Sequence, residues 1–271
     1  MPLMVKDIDT IMEQYAPSKL KESYDTVGLM VGDMKSEVTS ILVALDCTLD
    51  VIEEAKLNSC NMIFTHHPLL FKKPNSITTD TLIGRKIIEL VKNDINVYSS
   101  HTNLDSTLGG MNDIIMQILD FKYIRIMEHS SNEDSFGSNS GIGRMAKISK
   151  PITLDELCNK VKEKLGLKYL RYSGQDKKLI KNIAVINGSG QDYFNLAKKL
   201  GADCIITGDT TYHYVSDFNE QGIAVIDAGH FGTEWPSICV VSNYLKNRLG
   251  SMGFKNNVIL SKVNRDPYKY K

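Results

Sequence analysis

Short apolar runs alternate with amphipathic stretches along most of the chain. The apolar runs predict strands over residues 40–45, 61–65, 96–99, 144–148, 183–186, 204–207, 223–226 and 258–262. Apolar residues at helical spacing predict helices over 49–57, 81–92, 111–119, 154–165, 193–200 and 238–249. Short continuous apolar strands between helices are typical of a parallel or mixed sheet covered on both faces. The pattern therefore predicts an α/β fold.

One polar stretch interrupts this alternation. Residues 130–143 are rich in Gly and Ser, which indicates a loop or a boundary between two α/β halves.

Composition narrows the functional classes. The 271 residues are 42% apolar and 24% charged, as in ordinary globular proteins. Lys+Arg and Asp+Glu are 32 each, so neither a strongly basic nucleic-acid binder nor an acidic tail is indicated. No apolar run is long enough for a membrane span, and the first ten residues lack the apolar stretch of a signal peptide. Five scattered cysteines without a CxxC pair indicate free thiols in a reducing cytoplasm.

Polar residues of the metal-ligand type follow three of the predicted strands. They are His66 and His67, then His101 and Asp105, then His230 and Glu234. Ligand and catalytic groups in open α/β sheets collect at the carboxyl ends of strands. Imidazole and carboxylate together suit Zn, Mn, Fe, Ni or Co. The sequence therefore predicts a site for divalent ions at strand ends.

The adjacent histidines need a bend in the backbone to act together. In an extended strand His66 and His67 face opposite sides, but at a strand end before Pro68 the chain can turn both rings toward one cavity. The two rings could then serve two different ions. The alternative is that they only close the strand.

Four other residues need a separate interpretation. Glu234 could bridge two cations, or only complement the dipole of a helix that Thr233 caps and that has Pro236 in its first turn. Asp105 is the better anionic ligand in its segment. His101 could be a ligand, a partner behind a ligand, a proton shuttle, or a structural histidine. His129 adjoins the polar stretch and is expected to be exposed and without a role.

A glycine pair and a helix start offer weaker signals. Backbone N–H groups at Gly188 and Gly190 could hold a phosphate, although a two-glycine turn also simply joins a strand to a helix. Asp209 could cap a helix that begins near Thr210, which would place His213 one turn further on.

Five segments in order resemble the Nif-like dinuclear-metal family, the GTP cyclohydrolase I type 2 homologues. They are residues 24–29 (YDTVGL), 65–69 (THHPL), 101–113 (HTNLD to GGMND), 207–213 (TGD to His213) and 227–234 (DAGHFGTE). Within them Thr26 stands where the family usually has Asn, and just outside them Asn187 stands where Gly is common.

The resemblance implies a ligand set, a fold and an assembly. The ligands would be His66, His67, Asp105, His230 and Glu234, with Glu234 bridging two divalent ions. The fold would be two interlocked α/β lobes with mixed sheets and the metal site at strand ends between them. The lobes would comprise residues 1–125 with 228–271, and 126–227. Family members assemble as hexameric rings, so a hexamer is expected.

Two hypotheses about function follow. The first is a cytoplasmic two-metal hydrolase acting on a nucleotide or another phosphoester. His101 and His213 are its predicted catalytic residues, and Asp25, Asp209, Gly188 and Gly190 its predicted substrate-binding residues. The second is a non-enzymatic ring, a metallochaperone or a scaffold that binds a partner. Five protein ligands across two ions leave open coordination positions, which favours catalysis.

Overall fold

Two β-sheets, one in each of two structural units, organise the chain. The computed structural model describes residues 1–130, 139–269 and 271. Unit 1 comprises Met1–Leu104 and Ile238–Arg265, and unit 2 comprises Asp105–Ser237 and Asp266–Lys271. The lobe bounds that the resemblance implies stay a prediction.

The strands of unit 1 are β1 (Gly28–Val31), β2 (Ser40–Ala44), β3 (Met62–Thr65), β4 (Asn96–Ser99) and, near the end of the chain, β11 (Asn257–Leu260). Its first helices are α1 (Val5–Tyr15), α2 (Leu49–Leu57) and α3 (Leu82–Lys92). The sheet has the order β1-β4-β3-β2-β11. Strands β4, β3, β2 and β11 are parallel, and β1 is antiparallel to β4. The carboxyl ends of β2, β3 and β4 therefore share one edge.

The central parallel strands of unit 1, β2, β3 and β4, are buried on both faces. Every residue of β3 and β4 is buried. Leu42 and Ala44 of β2 share one core with Ile63 of β3, Val97 of β4 and the inner faces of α2 and α3. This burial explains the continuous apolar runs in the sequence, since no face of these strands meets water.

Unit 2 contains the remaining strands and helices, except residues 102–104 of the first of these helices and 238–251 of the last, which belong to unit 1. Its strands are β5 (Tyr123–His129), β6 (Gly141–Thr153), β7 (Arg171–Ser173), β8 (Leu179–Ser189), β9 (Cys204–Gly208) and β10 (Ala224–Asp227). The helices that follow α3 are α4 (Thr102–Ser106), α5 (Met111–Ile118), α6 (Leu154–Leu165), α7 (Phe194–Lys199), α8 (Tyr212–Glu220) and α9 (His230–Ser251). The sheet has the order β5-β6-β8-β9-β10-β7, with β8, β9 and β10 parallel and the other pairings antiparallel.

Alternate residues of β8, β9 and β10 point to two separate cores. Ile183 and Val185 of β8 pack in one core with apolar residues of α5 and α6. Ala184 and Ile186 pack in the other with residues of α7 and α8. The period of two along each strand thus places helices on both faces of the sheet, as an α/β fold requires.

The prediction of an α/β fold with mixed sheets is confirmed. The predicted bounds of α2, β4 and α6 agree with the structure. Helix α6 has clear boundary signals, because Thr153 and Glu156 form a capping box at its start and Gly166 ends it with a φ of +67°.

Several predicted boundaries are wrong, including both ends of β8, which spans Leu179–Ser189 and not 183–186. Strand β6 begins at Gly141, inside the predicted loop 130–143, of which residues 131–138 lie outside the described residues. Helix α9 begins at His230, so Thr233 is inside the helix and not its cap, and Pro236 lies beyond the first turn. Strand β1, which is half-buried and begins with a glycine, was not predicted. Strands β5 and β7 were not predicted either. They are largely exposed or very short, so they lack a continuous apolar run.

The cysteines are all free thiols, and four of the five are buried, with Cys239 half-buried. Within the described part of the chain, no helix combines the length and apolar character needed to cross a membrane.

Candidate metal centre

Three histidine rings meet at the carboxyl edge of the sheet in unit 1. His66 and His67 follow β3 directly, and His101 lies two residues after β4. The ring centroids are 5.2 Å apart for His66–His67, 5.1 Å for His66–His101 and 5.7 Å for His67–His101. One ligand atom from each ring lies within 4.8 Å of the others. This three-histidine group is able to hold a metal ion.

The backbone turns directly after β3, which brings two consecutive rings to one place. The Thr65 hydroxyl donates to the His67 carbonyl at 2.9 Å and lies 2.8 Å from the Ser99 hydroxyl. The His67 N–H donates to the Leu45 carbonyl at 2.9 Å. These hydrogen bonds replace the regular hydrogen bonds between strands. The side chains of His66 and His67 therefore no longer alternate between the two faces of the sheet. The bend predicted at this strand end is present.

Each ring of the group is oriented through Nδ1 by a different oxygen. The partners are the Ser100 carbonyl for His66, the Asp46 carboxylate for His67 and the Asp25 carboxylate for His101, each at 2.9 Å. A carbonyl or carboxylate oxygen accepts, so Nδ1 carries the proton and the ring lone pair lies on Nε2. Histidines that bind metals are oriented in this way.

Asp25 is a buried carboxylate that accepts hydrogen bonds from Thr26, His101 and Thr102. Its Oδ2 accepts from the Thr102 N–H at 3.1 Å and from the Thr102 hydroxyl. Burial raises the pKa of Asp25, but the interaction with His101 and the hydrogen bonds from Thr102 outweigh burial and lower the pKa to about 2. The side chain has no exposed surface. The predicted substrate-binding role of Asp25 stays a prediction, whereas its contact with His101 is direct.

Asp46 was missed by the sequence reasoning. It lies two residues after β2, at the same sheet edge as the histidines, and its side chain is 55% exposed. The strand-end argument that selected the histidines applies equally to it, because β2 is parallel to β3.

In unit 2, His230 and Glu234 lie one turn apart at the start of α9. The His230 Nε2 is 3.0 Å from the Glu234 Oε2, and the His230 Nδ1 is 2.7 Å from the Asp209 Oδ2. Glu234 is buried and His230 is half-buried. Asp209 has a φ of +50°, a strained conformation for a residue with a side chain. It does not cap α8, which begins at Tyr212; its side chain contacts His230 instead.

Gly188 makes room for the Glu234 carboxylate. It has a φ of +57°, and a Cβ there would lie 2.2 Å from Glu234 Oε1 and 3.4 Å from His230 Cε1. Its N–H donates to the Thr233 hydroxyl, and the Gly190 N–H donates to the Thr207 hydroxyl, both at 3.0 Å. A phosphate would compete with these bonds, so phosphate binding by the two glycines stays a prediction.

Asp105 lies in the short helix α4 of unit 2 and is half-buried. Its carbonyl accepts from the Asn112 side chain at 3.0 Å, and the Asn112 Oδ1 accepts from the Asn187 N–H at 3.4 Å. Asn112, which the sequence reasoning missed, thus ties α4 to the residue before Gly188. The role of the Asp105 carboxylate as a ligand stays a prediction.

The two remaining histidines lie outside these groups. His213 is exposed in the first turn of α8, with its ring 5.4 Å from the ring of Tyr212. His129 is exposed at the end of β5, as expected. The acid–base role predicted for His213 is not tested by this geometry.

The donor set fits a divalent transition metal. Neutral imidazoles whose second nitrogen is anchored by oxygen, together with carboxylates, suit Zn, Mn, Fe, Ni or Co. The residues able to bind metal ions are therefore His66, His67, His101, His230 and Glu234.

Known proteins resemble the chain over its full length. A "GTP cyclohydrolase 1 type 2 homolog" from Clostridium acetobutylicum is 55% identical over 271 residues, which cover 100% of both chains. A homolog of the same name from Clostridium perfringens is 53% identical over 268 residues, 99% of this chain and 100% of that one. The crystal structure of a Staphylococcus aureus hypothetical protein is 31% identical, with a TM-score of 0.91 over 100% of both chains.

The match to a protein family agrees with these relatives. Residues 3–267 match the family described as Duf34/NIF3 (NGG1p interacting factor 3). Together with full-length identity above one half to a GTP cyclohydrolase 1 type 2 homolog, this match shows that the chain belongs to the Duf34/NIF3 family.

Proposed function

We propose that this protein is a metal-dependent hydrolase that binds two divalent cations per chain and acts on a nucleotide or another phosphoester. The observation that carries the proposal is the three-histidine group, in which every ring is already oriented by an oxygen bound to its Nδ1. Such anchoring fixes the geometry of ligands and raises their basicity. The three rings also converge, since one ligand atom of each lies within 4.8 Å of the others, close enough to share one ion.

The chain's own residues have separate tasks in this proposal. His66, His67 and His101 hold a cation through Nε2, while Asp46, Asp25 and the Ser100 carbonyl keep the three rings in place. When bound, divalent cations supply an activated water and polarise the electrophile.

Unit 2 contributes further ligands. His230 and Glu234 offer an imidazole and a carboxylate, and Asp209 orients the imidazole. Asp105 is proposed as a further carboxylate ligand. The negative charge of Glu234 and Asp105 offsets part of the charge of two divalent ions. His213, which solvent reaches on α8, is the proposed acid–base group.

The substrate class and the assembly rest on the relatives and the resemblance. The Clostridium homologs carry the name GTP cyclohydrolase 1 type 2 homolog, which supports a nucleotide substrate. Ring opening of a purine and cleavage of a phosphoester both need an activated water, so both reactions belong in the screen. We also propose a hexameric ring, which light scattering at micromolar concentration tests; a stable monomer would contradict it.

The deciding experiment combines metal content with turnover. Protein reconstituted in turn with Zn, Mn, Fe, Ni and Co is analysed for bound metal and screened against nucleotides and phosphoesters. We expect about two ions per chain, as in two-metal sites, and turnover of at least one compound. A chain that stays metal-free with all five ions contradicts the proposal. Two bound ions with no turnover would favour the non-enzymatic metal-binding ring.

Two variants test the role of His101. If His101 is a ligand, His101→Ala loses an ion and excess metal does not restore it. If His101 only orients a ligand and does not contact the ion, the affinity for metal falls by roughly 10- to 100-fold and excess metal restores occupancy. His129→Ala is the matched control, because His129 is also a histidine next to a strand end but is exposed and outside the group.

A further inference from the structure

Unit 2 contains a cavity whose lining includes none of the proposed metal ligands. It lies between the edge strand β7, its neighbour β10 and the first turns of α8, and has a volume of about 340 Å³. Its polar and aromatic lining includes Arg171, Tyr172, Ser173, Thr210, Tyr212 and Asp227. Ligand pockets typically have volumes of roughly 300–1,000 Å³, so this cavity has room for a small ligand.

A buried carboxylate holds the side chain of Arg171 at this cavity. The Asp227 side chain is 4% exposed and accepts hydrogen bonds from the Arg171 Nη2, from the Thr210 hydroxyl at 2.6 Å and N–H at 3.2 Å, and from the Gly229 N–H at 3.0 Å. The Arg171 side chain is 70% exposed. A guanidinium has five N–H donors, and the bond to Asp227 uses one nitrogen. Arg171 is therefore held in place while most of its donors face outward.

The first turn of α8 adds positive potential at the same place. Thr211, which precedes the helix, makes no side-chain capping bond to it, and its hydroxyl donates to the Gln191 Oε1 at 3.2 Å. The N–H groups of a first turn carry a partial positive charge that attracts anions. Since Thr210, Thr211 and Tyr212 all line the cavity, this helix end and Arg171 lie on the same cavity.

A buried hydroxyl and two exposed aromatic rings complete the lining. The Ser173 hydroxyl is buried and has no hydrogen-bond partner within the described residues. Tyr212 is 80% exposed and Tyr172 is 47% exposed, so both rings offer apolar faces to a ligand.

We propose that this cavity binds a compact aromatic anion, that is, one ring system carrying one carboxylate or phosphate. The anionic group is received by Arg171 and the start of α8. The ring packs against Tyr172 and Tyr212. The volume of the cavity favours a single ring over a dinucleotide. The site uses no metal, so it does not depend on the proposed hydrolase function.

Four probes test the proposal by calorimetry on the full-length protein. Benzoate and phenyl phosphate each have an aromatic ring and an anionic group. Phenol has only the ring, and inorganic phosphate has only the anionic group. We expect at least one complete probe to bind about tenfold or more tightly than either half. The preference between benzoate and phenyl phosphate then identifies the anionic group.

Three variants locate the binding. Arg171→Gln should weaken the complete probe by about 10- to 100-fold, the usual effect of a lost charge-assisted hydrogen bond, and Arg171→Lys by less. Tyr212→Ala should weaken it by about 3- to 10-fold through the lost ring contact. Matched controls are Arg248→Gln, which removes an arginine bound to Gln14, and Tyr268→Ala, which removes a tyrosine that is 72% exposed.

A variant of the metal centre separates the two sites. Glu234→Gln should leave probe binding unchanged, and Arg171→Gln should leave metal content unchanged. The proposal is overturned if no complete probe binds at millimolar concentration, or if Arg171→Gln and Tyr212→Ala bind it as the unaltered protein does. It is also overturned if only Glu234→Gln abolishes binding, because the probe then occupies the metal centre.

Discussion

The three-histidine group of unit 1 and the His230–Glu234 pair of unit 2 reach similar chemistry by different local structures. In unit 1 the histidines follow parallel strands, and their spacing comes from the spacing of the strands and a turn at Thr65. In unit 2 the two residues lie one helical turn apart on α9, and their spacing comes from the helix itself.

The supporting contacts differ as well. Two of the three rings in unit 1 are held by residues of the same sheet edge, Asp46 and Ser100, and the third by the buried Asp25. The pair in unit 2 depends on two residues with positive φ, Asp209 and Gly188. A strand edge supplies oriented groups without backbone strain, whereas the helix pair requires neighbours in an uncommon backbone conformation.

The largest expected effect tests the helix pair directly. Glu234→Gln keeps the size of the side chain but removes the negative charge that binds cations. We expect loss of at least one of two ions. Metal affinity should fall by more than the roughly 100-fold that is typical when a residue that only orients a ligand is changed. Elemental analysis at low and high metal concentrations measures it. Retention of both ions with unchanged affinity would show that Glu234 is not a ligand.

The next effect tests the room that Gly188 provides. In Gly188→Ala the new Cβ would lie 2.2 Å from Glu234 Oε1, so the carboxylate must move and metal affinity should fall about tenfold or more. Gly166→Ala is the matched control, since Gly166 has a φ of +67° and no atom within 4 Å of its Cβ position. It should cost about 1–2 kcal/mol in thermal unfolding and leave metal content unchanged. Equal metal content in the two variants would contradict the prediction.

A third test compares the two carboxylates that orient rings in unit 1. In Asp25→Asn one acceptor oxygen becomes an amide NH₂ group, which faces donor groups of Thr102 or His101. The change should therefore lower the free energy of unfolding by about 1–3 kcal/mol. It should also lower metal affinity by roughly 10- to 100-fold. Asp46→Asn should have a smaller effect, because Asp46 is 55% exposed and its contact with His67 is weakened by water. Denaturant unfolding and metal titration check both; a larger effect of Asp46→Asn would contradict this ranking.

The smallest expected effect is that of His129→Ala. His129 is exposed at the end of β5 and belongs to neither group. The free energy of unfolding should change by less than about 0.5 kcal/mol, and metal content should not change. Loss of an ion would show that the choice of histidines is incomplete.

Much of unit 1 could be predicted because its signals are local. Buried parallel strands are written as short apolar runs, and the polar residue that ends each run marks the sheet edge. For this reason β4, α2 and the histidines after β3 were found from the sequence alone.

The start of α9 was misplaced because local preference and tertiary contacts disagree there. Thr233 is a good capping residue by type, yet its hydroxyl bonds to the Gly229 and His230 carbonyls and receives the Gly188 N–H. The Gly188 N–H belongs to β8, 45 residues away in the sequence, so no local pattern contains that bond.

The sequence by itself determined the α/β class, most of the buried strands and which histidines follow them, because these depend on periodicity and neighbouring residues. The tertiary structure alone decided which oxygen orients each ring. Asp46 reaches His67 across 21 residues, Asp25 reaches His101 across 76, and Asp209 reaches His230 across 21. Such pairings depend on how strands are ordered in a sheet, and strand order is set by packing over the whole unit.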